Sequence, residues 1–392
     1  MKPTIQRPFP LPPSVSRPVV SPLMPAVVYA SDNPDQLDQQ YEGDAFGYTY
    51  AREGHPNADI VARTIAAMEG VDNGIMTGSG MAAVTAAVLG LCQSGDHVLG
   101  GAQLYGRSLR MLNEDLPRLG IETSLADPTD AGSVRNALQP NTRMVLIETV
   151  SNPTLRIADL TGIAALCAER GILLAVDNTF TTPAMIKPFD LGADIVIHSV
   201  TKLLAGHADV TLGWVGSKHA NLEARMRVFA VTTGMTASPF DCWLAERGLA
   251  SFGLRFERSQ ASAAQLADWL ADQPGIERVL YPVRPDHPDH NRTMSLMNGQ
   301  GGNIVSFSLK GGRGAANAFA SAASGVAFAP TLGDVGTTLS HAASSSHRVM
   351  APEAREAQGI TEGFFRVSVG LENPEALIET FSSGLKAAIA TL

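Results

Sequence analysis

Short apolar runs alternate with helix-length segments along residues 58–216, and this alternation restricts the possible folds more than any other feature of the chain. Each run has the length and composition of a buried strand. Because parallel strands are joined by crossover helices, the alternation predicts an α/β fold, with helices on both faces of a mostly parallel sheet. Strands are predicted at 74–77, 97–101, 122–126, 144–148, 173–177, 195–198 and 213–216, and helices at 58–69, 80–92, 108–119, 131–138 and 163–170.

The pattern differs at the two ends of the chain. The first fifty or so residues are rich in proline and show little periodicity, so they are predicted to form an extended arm. Beyond Cys242 the strands become fewer and more amphipathic, which is typical of an α+β unit. This part is predicted to contain one long helix or a kinked pair at 243–270, strands at 303–309, 325–329 and 365–369, and a closing helix at 374–390.

A chain of 392 residues is expected to form more than one domain. We therefore predict an N-terminal arm (1–57), a large α/β domain (58–246) and a smaller C-terminal α+β domain (247–392).

Composition restricts the kinds of molecule that this protein can bind and the environment in which it is expected. The net charge of −9 and the lack of a basic tract argue against a nucleic-acid partner. The sequence has neither a secretory-signal pattern nor an apolar stretch long enough for a membrane span, so a soluble, cytoplasmic protein is expected. The three cysteines lie far apart without a CxxC spacing, and each is predicted to be a buried apolar residue rather than a disulfide or zinc ligand.

Lys202 follows the apolar run 195–198, at the point where a strand becomes a loop. Ligands of open α/β sheets collect at the carboxyl ends of strands, and a lysine with a depressed pKa can form a Schiff base there. Asp177 ends the preceding apolar run, and Ser199 and Thr201 offer hydroxyls to a phosphate. Together these residues match the needs of pyridoxal phosphate, in which a carboxylate keeps the ring nitrogen protonated. A solvated lysine that only ends the strand is the alternative.

Two further strand ends carry polar or aromatic groups. The turn before Gly80 and Met81 follows a strand and opens a helix, so backbone N–H groups there can bind a phosphate, although a plain tight turn would look the same. Tyr105 could stack on a cofactor ring and act as an acid or base, or could simply cap the core. Asn152 could hydrogen-bond the ring oxygen or serve only as an Asn-Pro turn residue.

Arg366 lies in an otherwise apolar strand of the smaller unit. An inward arginine needs a partner, and a substrate carboxylate offers bidentate pairing. An internal salt bridge is the competing explanation.

Several motifs, in order along the chain, resemble those of the pyridoxal-phosphate-dependent trans-sulfuration enzymes of cysteine and methionine metabolism, especially the cystathionine γ-synthase and γ-lyase group. The resemblance implies the aspartate-aminotransferase-like fold (fold type I) and a homodimer or homotetramer with shared active sites. The matching stretches are 50–52, 79–83, 104–106, 148–154, 176–180, 198–202, 206–209, 247–249 and 366–370.

The resemblance also implies residue roles. Lys202 would be the Schiff-base lysine, Asp177 the partner of the pyridine nitrogen and Tyr105 the stacking residue. The other implied cofactor contacts are Gly80, Met81, Ser199 and Thr201 at the phosphate, Asn152 at the ring, and Tyr50 and Arg52 from the neighbouring subunit. Arg366 would bind the substrate α-carboxylate with Asn152 and Thr331, and Arg110 would also contact substrate.

Within the family, the substrate is open. Arg110 matches the cystathionine-handling members, and Arg107 stands where methionine γ-lyases carry a cysteine. Gly336 and Thr49 instead replace acidic residues that such members place near the distal ammonium of cystathionine. Without these acidic residues, a γ-substituted substrate with a neutral or acidic tail fits better than cystathionine.

The expected activity is γ-elimination or γ-replacement on a sulfur- or oxygen-substituted homoserine-type amino acid. Methionine γ-lyase and O-acyl-homoserine sulfhydrylase activities are the alternatives. An aminotransferase would use the same lysine and aspartate, and a non-catalytic binding protein could keep the fold; the joint presence of Lys202, Asp177, Tyr105 and Arg366 argues against the latter.

Overall fold

A seven-stranded sheet forms the larger part of the computed structural model, which describes residues 14–348 and 350–392. Its strands are β1 (Ile75–Thr77), β2 (His97–Gly101), β3 (Glu122–Ala126), β4 (Thr142–Glu148), β5 (Leu173–Asp177), β6 (Ile195–Ser199) and β7 (Gly213–Ser217). They lie in the order β1-β7-β6-β5-β4-β2-β3. Only β7 is antiparallel to its neighbours, so the predicted mostly parallel sheet is confirmed.

Helices cover this sheet and complete the second unit. They are α1 (Pro34–Glu42), α2 (Pro56–Glu69), α3 (Gly80–Leu91), α4 (Gly106–Arg110), α5 (Leu116–Arg118), α6 (Ala131–Ala137), α7 (Leu160–Arg170), α8 (Thr182–Met185), α9 (Ala220–Thr232), α10 (Pro239–Ala250), α11 (Phe252–Ala271), α12 (His290–Leu296), α13 (Gly312–Ala322), α14 (Pro352–Ala357) and α15 (Pro374–Ile389). No helix of the described residues is long and apolar enough to cross a membrane.

Successive residues of the buried strands point to opposite faces of the large sheet. Leu146 and Ile197 pack in the cluster that contains the apolar side of α3, whereas Ile147 and Val196 pack in the cluster that contains α2. The same alternation places the strand-terminal residues Glu148, Asp177 and Ser199 together on the α3 face. The residue before Ser199, His198, therefore lies on the opposite face.

The second sheet has five strands, which are β8 (Ile276–Leu280), β9 (Ile304–Leu309), β10 (Ala327–Phe328), β11 (Thr338–His341) and β12 (Phe364–Ser368). They lie in the order β10-β11-β12-β9-β8, and only β10 and β11 pair in parallel. The predicted strands at 303–309 and 365–369 are confirmed within a residue. β8 and β11 were not predicted, and the strand at 325–329 shrinks to two exposed residues.

Several predicted elements need correction. The arm is not extended throughout, because α1 forms where the Asn33 side chain accepts the Gln36 N–H at 2.9 Å and Gly43 ends the helix at a φ of +83°. The predicted helix at 108–119 is interrupted by a π-helical turn at Met111–Asp115. The segment 243–270 is a kinked pair, α10 and α11. The proposed boundary between residues 246 and 247 falls inside α10 and stays a proposal.

The contact between α10 and the segment after β6 leaves no room for a side chain at Gly248. A Cβ atom at this position would overlap the Ala205 carbonyl oxygen. Such close packing transmits any displacement of α10 to the turn that carries Lys202.

We expect Gly248→Ala to destabilise the protein by about 1–3 kcal/mol, because the added methyl group must push backbone atoms apart. Gly253→Ala is the matched control, since Gly253 lies in the neighbouring helix with no atom within 4 Å of an added Cβ. Thermal unfolding followed by circular dichroism measures both. Equal melting temperatures for the two variants would contradict the close packing.

Candidate active site

Lys202 lies in the turn that follows β6. Its N–H donates to the Ser199 carbonyl at 3.1 Å, and its own carbonyl accepts the Gly206 N–H at 2.8 Å. Burial, with a smaller contribution from the positive charge of Arg366, lowers the pKa of the lysine amine. The amine is therefore not the solvated strand end that was the alternative, and it has the environment of a nucleophile.

The buried guanidinium of Arg255, on α11, holds this turn in place. It donates to the carbonyl oxygens of Leu203 at 2.8 Å, Leu204 at 2.9 Å and Gly248 at 2.8 Å. Burial lowers the pKa of Arg255, and the ion pairs found among residues 14–348 and 350–392 do not include it. A cation here satisfies backbone carbonyl groups that would otherwise lack partners.

Two carboxyl groups lie side by side at the carboxyl ends of β4 and β5, where Glu148 and Asp177 are register partners. Glu148 accepts the Tyr105 N–H at 2.7 Å, and Asp177 accepts the Thr179 N–H at 3.0 Å. Burial raises the pKa of Asp177, and burial with the nearby charge of Asp177 raises the pKa of Glu148 well above its usual range. The pair therefore favours a single negative charge.

The N-terminus of α3 faces the end of β6. Ser79 caps the helix by accepting the Ala82 N–H at 3.1 Å, which leaves the N–H groups of Gly80 and Met81 outside the helical hydrogen bonds. A Cβ at Gly80 would lie 2.6 Å from the Ser199 Cβ, so only glycine permits this approach. The Thr201 hydroxyl bonds with the Leu212 backbone, donating to its oxygen at 3.1 Å.

Arg366 brings the second sheet into the site. Its guanidinium donates to the Asn152 side-chain oxygen at 3.0 Å and to the Thr331 carbonyl. Burial lowers the pKa of Arg366 to about 10, and its Nε atom has no hydrogen-bond partner among the described residues. The internal salt bridge that was the alternative is not found in this part of the chain. A buried, incompletely paired cation is suited to an incoming carboxylate.

Tyr105 caps the N-terminus of α4 with its ring 43% exposed, so it does not cap the core. Arg107 and Arg110 follow on the same helix and are exposed. Arg110 pairs with Glu114 at 3.1 Å on the surface. The structure thus places Arg110 near Tyr105 along the helix without giving it a buried partner.

Tyr50 and Arg52 lie on the arm and reach solvent within one chain. Tyr50 is 40% exposed, and the Arg52 guanidinium lies 5.5 Å from the Tyr50 ring centroid while donating to the Val231 carbonyl at 3.1 Å. The structure of one chain does not bring them to the Lys202 turn.

A buried polar network lies behind the strand ends, on the α2 face. His198 Nε2 and Glu69 Oε1 are 2.6 Å apart, and both side chains are fully buried. Asn178, directly after Asp177, donates to the same Glu69 oxygen at 2.8 Å. Glu69 Oε2 and His198 Nδ1 have no hydrogen-bond partner among the described residues. The single oxygen Glu69 Oε1 therefore ties the residue after Asp177 and the end of β6 to α2.

A charged clamp ties the loop carrying Asn152 to the segment before α12. Asp289 accepts two bonds from the Arg156 guanidinium, at 2.7 and 3.2 Å, and the Ile157 N–H at 3.0 Å. His287, in the same loop, accepts the Asp289 N–H at 3.1 Å. Burial lowers the pKa of His287 to about 4.

Comparison with known proteins identifies the family. The model of the Cys/Met metabolism PLP-dependent enzymes matches residues 12–386. The chain belongs to this family. It is a pyridoxal-phosphate-dependent enzyme of trans-sulfuration, a carbon–sulfur lyase or transferase, and it has the fold type I architecture.

Relatives within the family act on different substrates. The chain is 38% identical to an O-succinylhomoserine sulfhydrylase of Pseudomonas aeruginosa, over 89% of this chain and 86% of the relative. It is 41% identical to a cystathionine beta-lyase of Bacillus subtilis, over 86% of each. The structure of a cystathionine gamma synthase from Xanthomonas oryzae pv. oryzae in complex with cystathionine superposes with a TM-score of 0.90 at 35% identity, covering 95% of this chain and 94% of that one. Membership of the family is therefore compatible with several reactions on sulfur- or oxygen-substituted amino acids.

The residues present fit the cofactor of the family, pyridoxal phosphate. An amine with a lowered pKa, that of Lys202, lies three residues after Ser199, which packs against the N-terminus of α3 at Gly80. A carboxylate ends the neighbouring strand β5. These groups match an aldehyde, a phosphate and a ring nitrogen respectively.

Three groups of residues around the site were not predicted from the sequence. Glu148 ends a predicted strand beside Asp177, so its position was available as a signal. Arg255 and the pair of Glu69 and His198 gave no such signal. Leu203 and Leu204 lie 52 and 51 positions from Arg255, and Glu69 lies 129 positions from His198.

The lowered pKa of His287 predicts a loss of stability in mild acid. In the unfolded chain, the His287 imidazole binds a proton near pH 6.5. In the folded protein, the same imidazole stays neutral down to about pH 4. Stability present at neutral pH is therefore lost as the pH falls through this range. The wild-type protein should lose about 2 kcal/mol more than His287→Gln between about pH 7.5 and 5.

Urea unfolding of both proteins at each pH measures this difference. Above about pH 7.5 the difference between them should be constant, which serves as the internal control. A pH-independent difference over the whole range would show that His287 keeps an ordinary pKa.

Proposed function

We propose that this enzyme catalyses γ-elimination or γ-replacement on a homoserine-type amino acid with an oxygen or sulfur substituent. The observation that carries the proposal is the meeting of the Lys202 turn with Arg366 from the other sheet. Burial lowers the pKa of the lysine, and the nearby charge of Arg366 lowers it further. An amino acid bound by its carboxylate at Arg366 would present its amine and Cα towards Lys202.

The cofactor would be held by residues at or after the carboxyl ends of five strands, β1, β2, β4, β5 and β6. Lys202 would bind its aldehyde and Asp177 its ring nitrogen, while Tyr105 would stack on the ring and Asn152 contact its oxygen. The phosphate would be bound by Gly80, Met81, Ser199 and Thr201. When bound, the protonated ring withdraws electrons from the substrate, which makes the Cα and Cβ protons acidic.

Substrate binding and proton transfer fall to this chain's own side chains. Arg366, with Asn152 and Thr331 beside it, would bind the α-carboxylate and fix the orientation of Cα. The Lys202 amine would then take protons from Cα and Cβ, which its lowered pKa favours. The Tyr105 phenol would donate a proton to the departing γ-substituent.

The substrate tail would be neutral or acidic. Thr49 offers a hydroxyl, which donates to Glu53 at 2.8 Å, instead of a carboxylate. Gly336 has no side chain, and an added Cβ there would lie 3.9 Å from an Asp334 carboxylate oxygen and 4.0 Å from one of Glu372. Thr49 and Gly336 themselves offer no carboxylate to a distal ammonium. The carboxylates beside them, those of Glu53, Asp334 and Glu372, already accept hydrogen bonds from Thr49, Val335 and Thr337. Arg107 and Arg110 supply positive charge near Tyr105, which suits an acidic tail such as a succinyl ester. Methionine γ-lyase and O-acyl-homoserine sulfhydrylase activities are the alternatives, and relatives of both kinds are known.

The proposal includes a homodimer, or a homotetramer built from dimers, with active sites shared between chains. Tyr50 and Arg52 are exposed on an arm that also exposes Val19, Val20, Val28 and Phe46. An exposed apolar row of this kind is suited to lie on a second copy of the chain.

Offered a panel of substrates, the purified enzyme should turn over O-acetyl- or O-succinylhomoserine faster than cystathionine, with methionine as a third comparison. Product masses with and without cysteine distinguish elimination from replacement. Gly336→Glu should raise kcat/KM for cystathionine about 10-fold, because a carboxylate there can pair with the distal ammonium.

Gly336→Gln is the control of matched size and should not produce this gain. Cystathionine as the best substrate of the wild-type enzyme would overturn the assignment of the tail. Lys202→Ala should abolish turnover of every substrate.

Co-expression of Lys202→Ala and Arg52→Ala chains tests the shared site. If Arg52 serves the neighbouring subunit, each hybrid dimer has one intact site, and about 25% of wild-type activity should return. The assay uses limiting cofactor, and each variant alone is the control. Activity no higher than that of Arg52→Ala alone would place Arg52 in its own chain's site or outside it.

A further inference from the structure

Glu148 is a buried acid that no step above uses. It ends β4 on the same sheet face as Asp177, its register partner on β5. Side chains on one face of neighbouring strands are about 5 Å apart. Glu148 therefore lies against the carboxylate assigned to the ring nitrogen.

The other contact of Glu148 is with the backbone of Tyr105. The N–H of Tyr105 donates to Glu148 Oε1 at 2.7 Å, across 43 positions of sequence. Tyr105 has no side-chain hydrogen bond at the start of α4, and its ring is 43% exposed. The hydrogen bond to Glu148 is thus the contact with a distant segment that fixes the position of Tyr105 at the start of α4.

Charge decides which of the two acids is ionised. Two adjacent buried carboxyl groups do not both ionise readily, so one keeps its proton. Burial raises the pKa of Asp177, but the charge of His198, whose side chain lies on the opposite face of the sheet, favours the ionised form of Asp177. The ionised form of Glu148 is disfavoured by burial and by the charge of Asp177. Asp177 also accepts the Thr179 N–H at 3.0 Å. The negative charge therefore belongs on Asp177.

We propose that Glu148 is a positioning residue, present as the neutral acid, whose hydrogen bond to the Tyr105 backbone holds the tyrosine over the cofactor ring beside a singly charged Asp177. The proposal rests on the roles proposed for Tyr105 and Asp177. It assigns Glu148 a fixed hydrogen bond and a permanent proton rather than a step in proton transfer. A second negative charge at this point would weaken the selective pairing of Asp177 with a protonated ring.

Two substitutions separate shape from charge. Glu148→Gln keeps the length and the accepting oxygen and is permanently neutral, so it should retain kcat within about 3-fold of wild type. Glu148→Ala removes the acceptor, and kcat should fall about 10- to 100-fold, because small displacements of a catalytic group have effects of this size. KM should change less than kcat, since Arg366 still binds the carboxylate.

A double-mutant cycle shows whether Glu148 acts through Tyr105. In a Tyr105→Ala background, Glu148→Ala should cost less than about 3-fold further, whereas independent roles would multiply. The visible absorption of the bound cofactor, titrated with pH, should be the same in wild type and Glu148→Gln. A merely structural role would not produce this combination of rescue, coupling and unchanged titration.

Three outcomes would overturn the proposal: a Glu148→Gln enzyme as slow as Glu148→Ala, multiplicative losses in the cycle, or loss of one limb of the pH profile in Glu148→Gln. If Glu148→Ala does not fold, Glu148→Gln alone still decides the charge state. Failure of the proposed function is distinguishable, because wild type would then be inactive on the whole substrate panel.

Discussion

The guanidinium of Arg255 and the three carbonyl oxygens it holds are the contact on which the position of Lys202 depends. Two of those oxygens belong to the turn after Lys202, and the third belongs to α10. Gly206 lies in the left-handed region at a φ of +76°, and a Cβ there would overlap the Arg255 guanidinium. The turn that carries Lys202 is thus anchored by a buried charge rather than by apolar packing alone. That anchor joins the large sheet to the long helix of the second unit.

Alternation along the buried strands divides the polar groups between two faces. The groups that would meet a cofactor, Asp177 and Ser199, share the α3 face with Glu148. The pair of Glu69 and His198 lies on the α2 face, where no solvent reaches it. The α3 face therefore carries the groups proposed to meet a cofactor, whereas the α2 face ties the ends of β5 and β6 to α2 through Glu69.

The sequence predicted the parallel sheet and the strand-end residues, because buried strands are continuous apolar runs whose ends are marked by Asp177 and Lys202. It did not predict α1, which depends on a local cap within a proline-rich arm. It also missed β8 and β11, in which charged or polar residues interrupt the apolar pattern. The sequence alone did not determine the partner of Arg366, because an internal salt bridge and a substrate-carboxylate site both use an arginine. Contacts across distant segments, such as those of Arg255, have no signature in local pattern.

The close packing around Gly206 and Gly248 also bears on how this enzyme can be redesigned. Any side chain at either position collides with the anchor of the lysine, so variation there would be purged in a laboratory evolution experiment. Gly336 and the exposed Arg107 and Arg110 have room to change. A library of variants confined to those three positions would sample new substrate specificities. It would leave unchanged the contacts that hold the Lys202 turn.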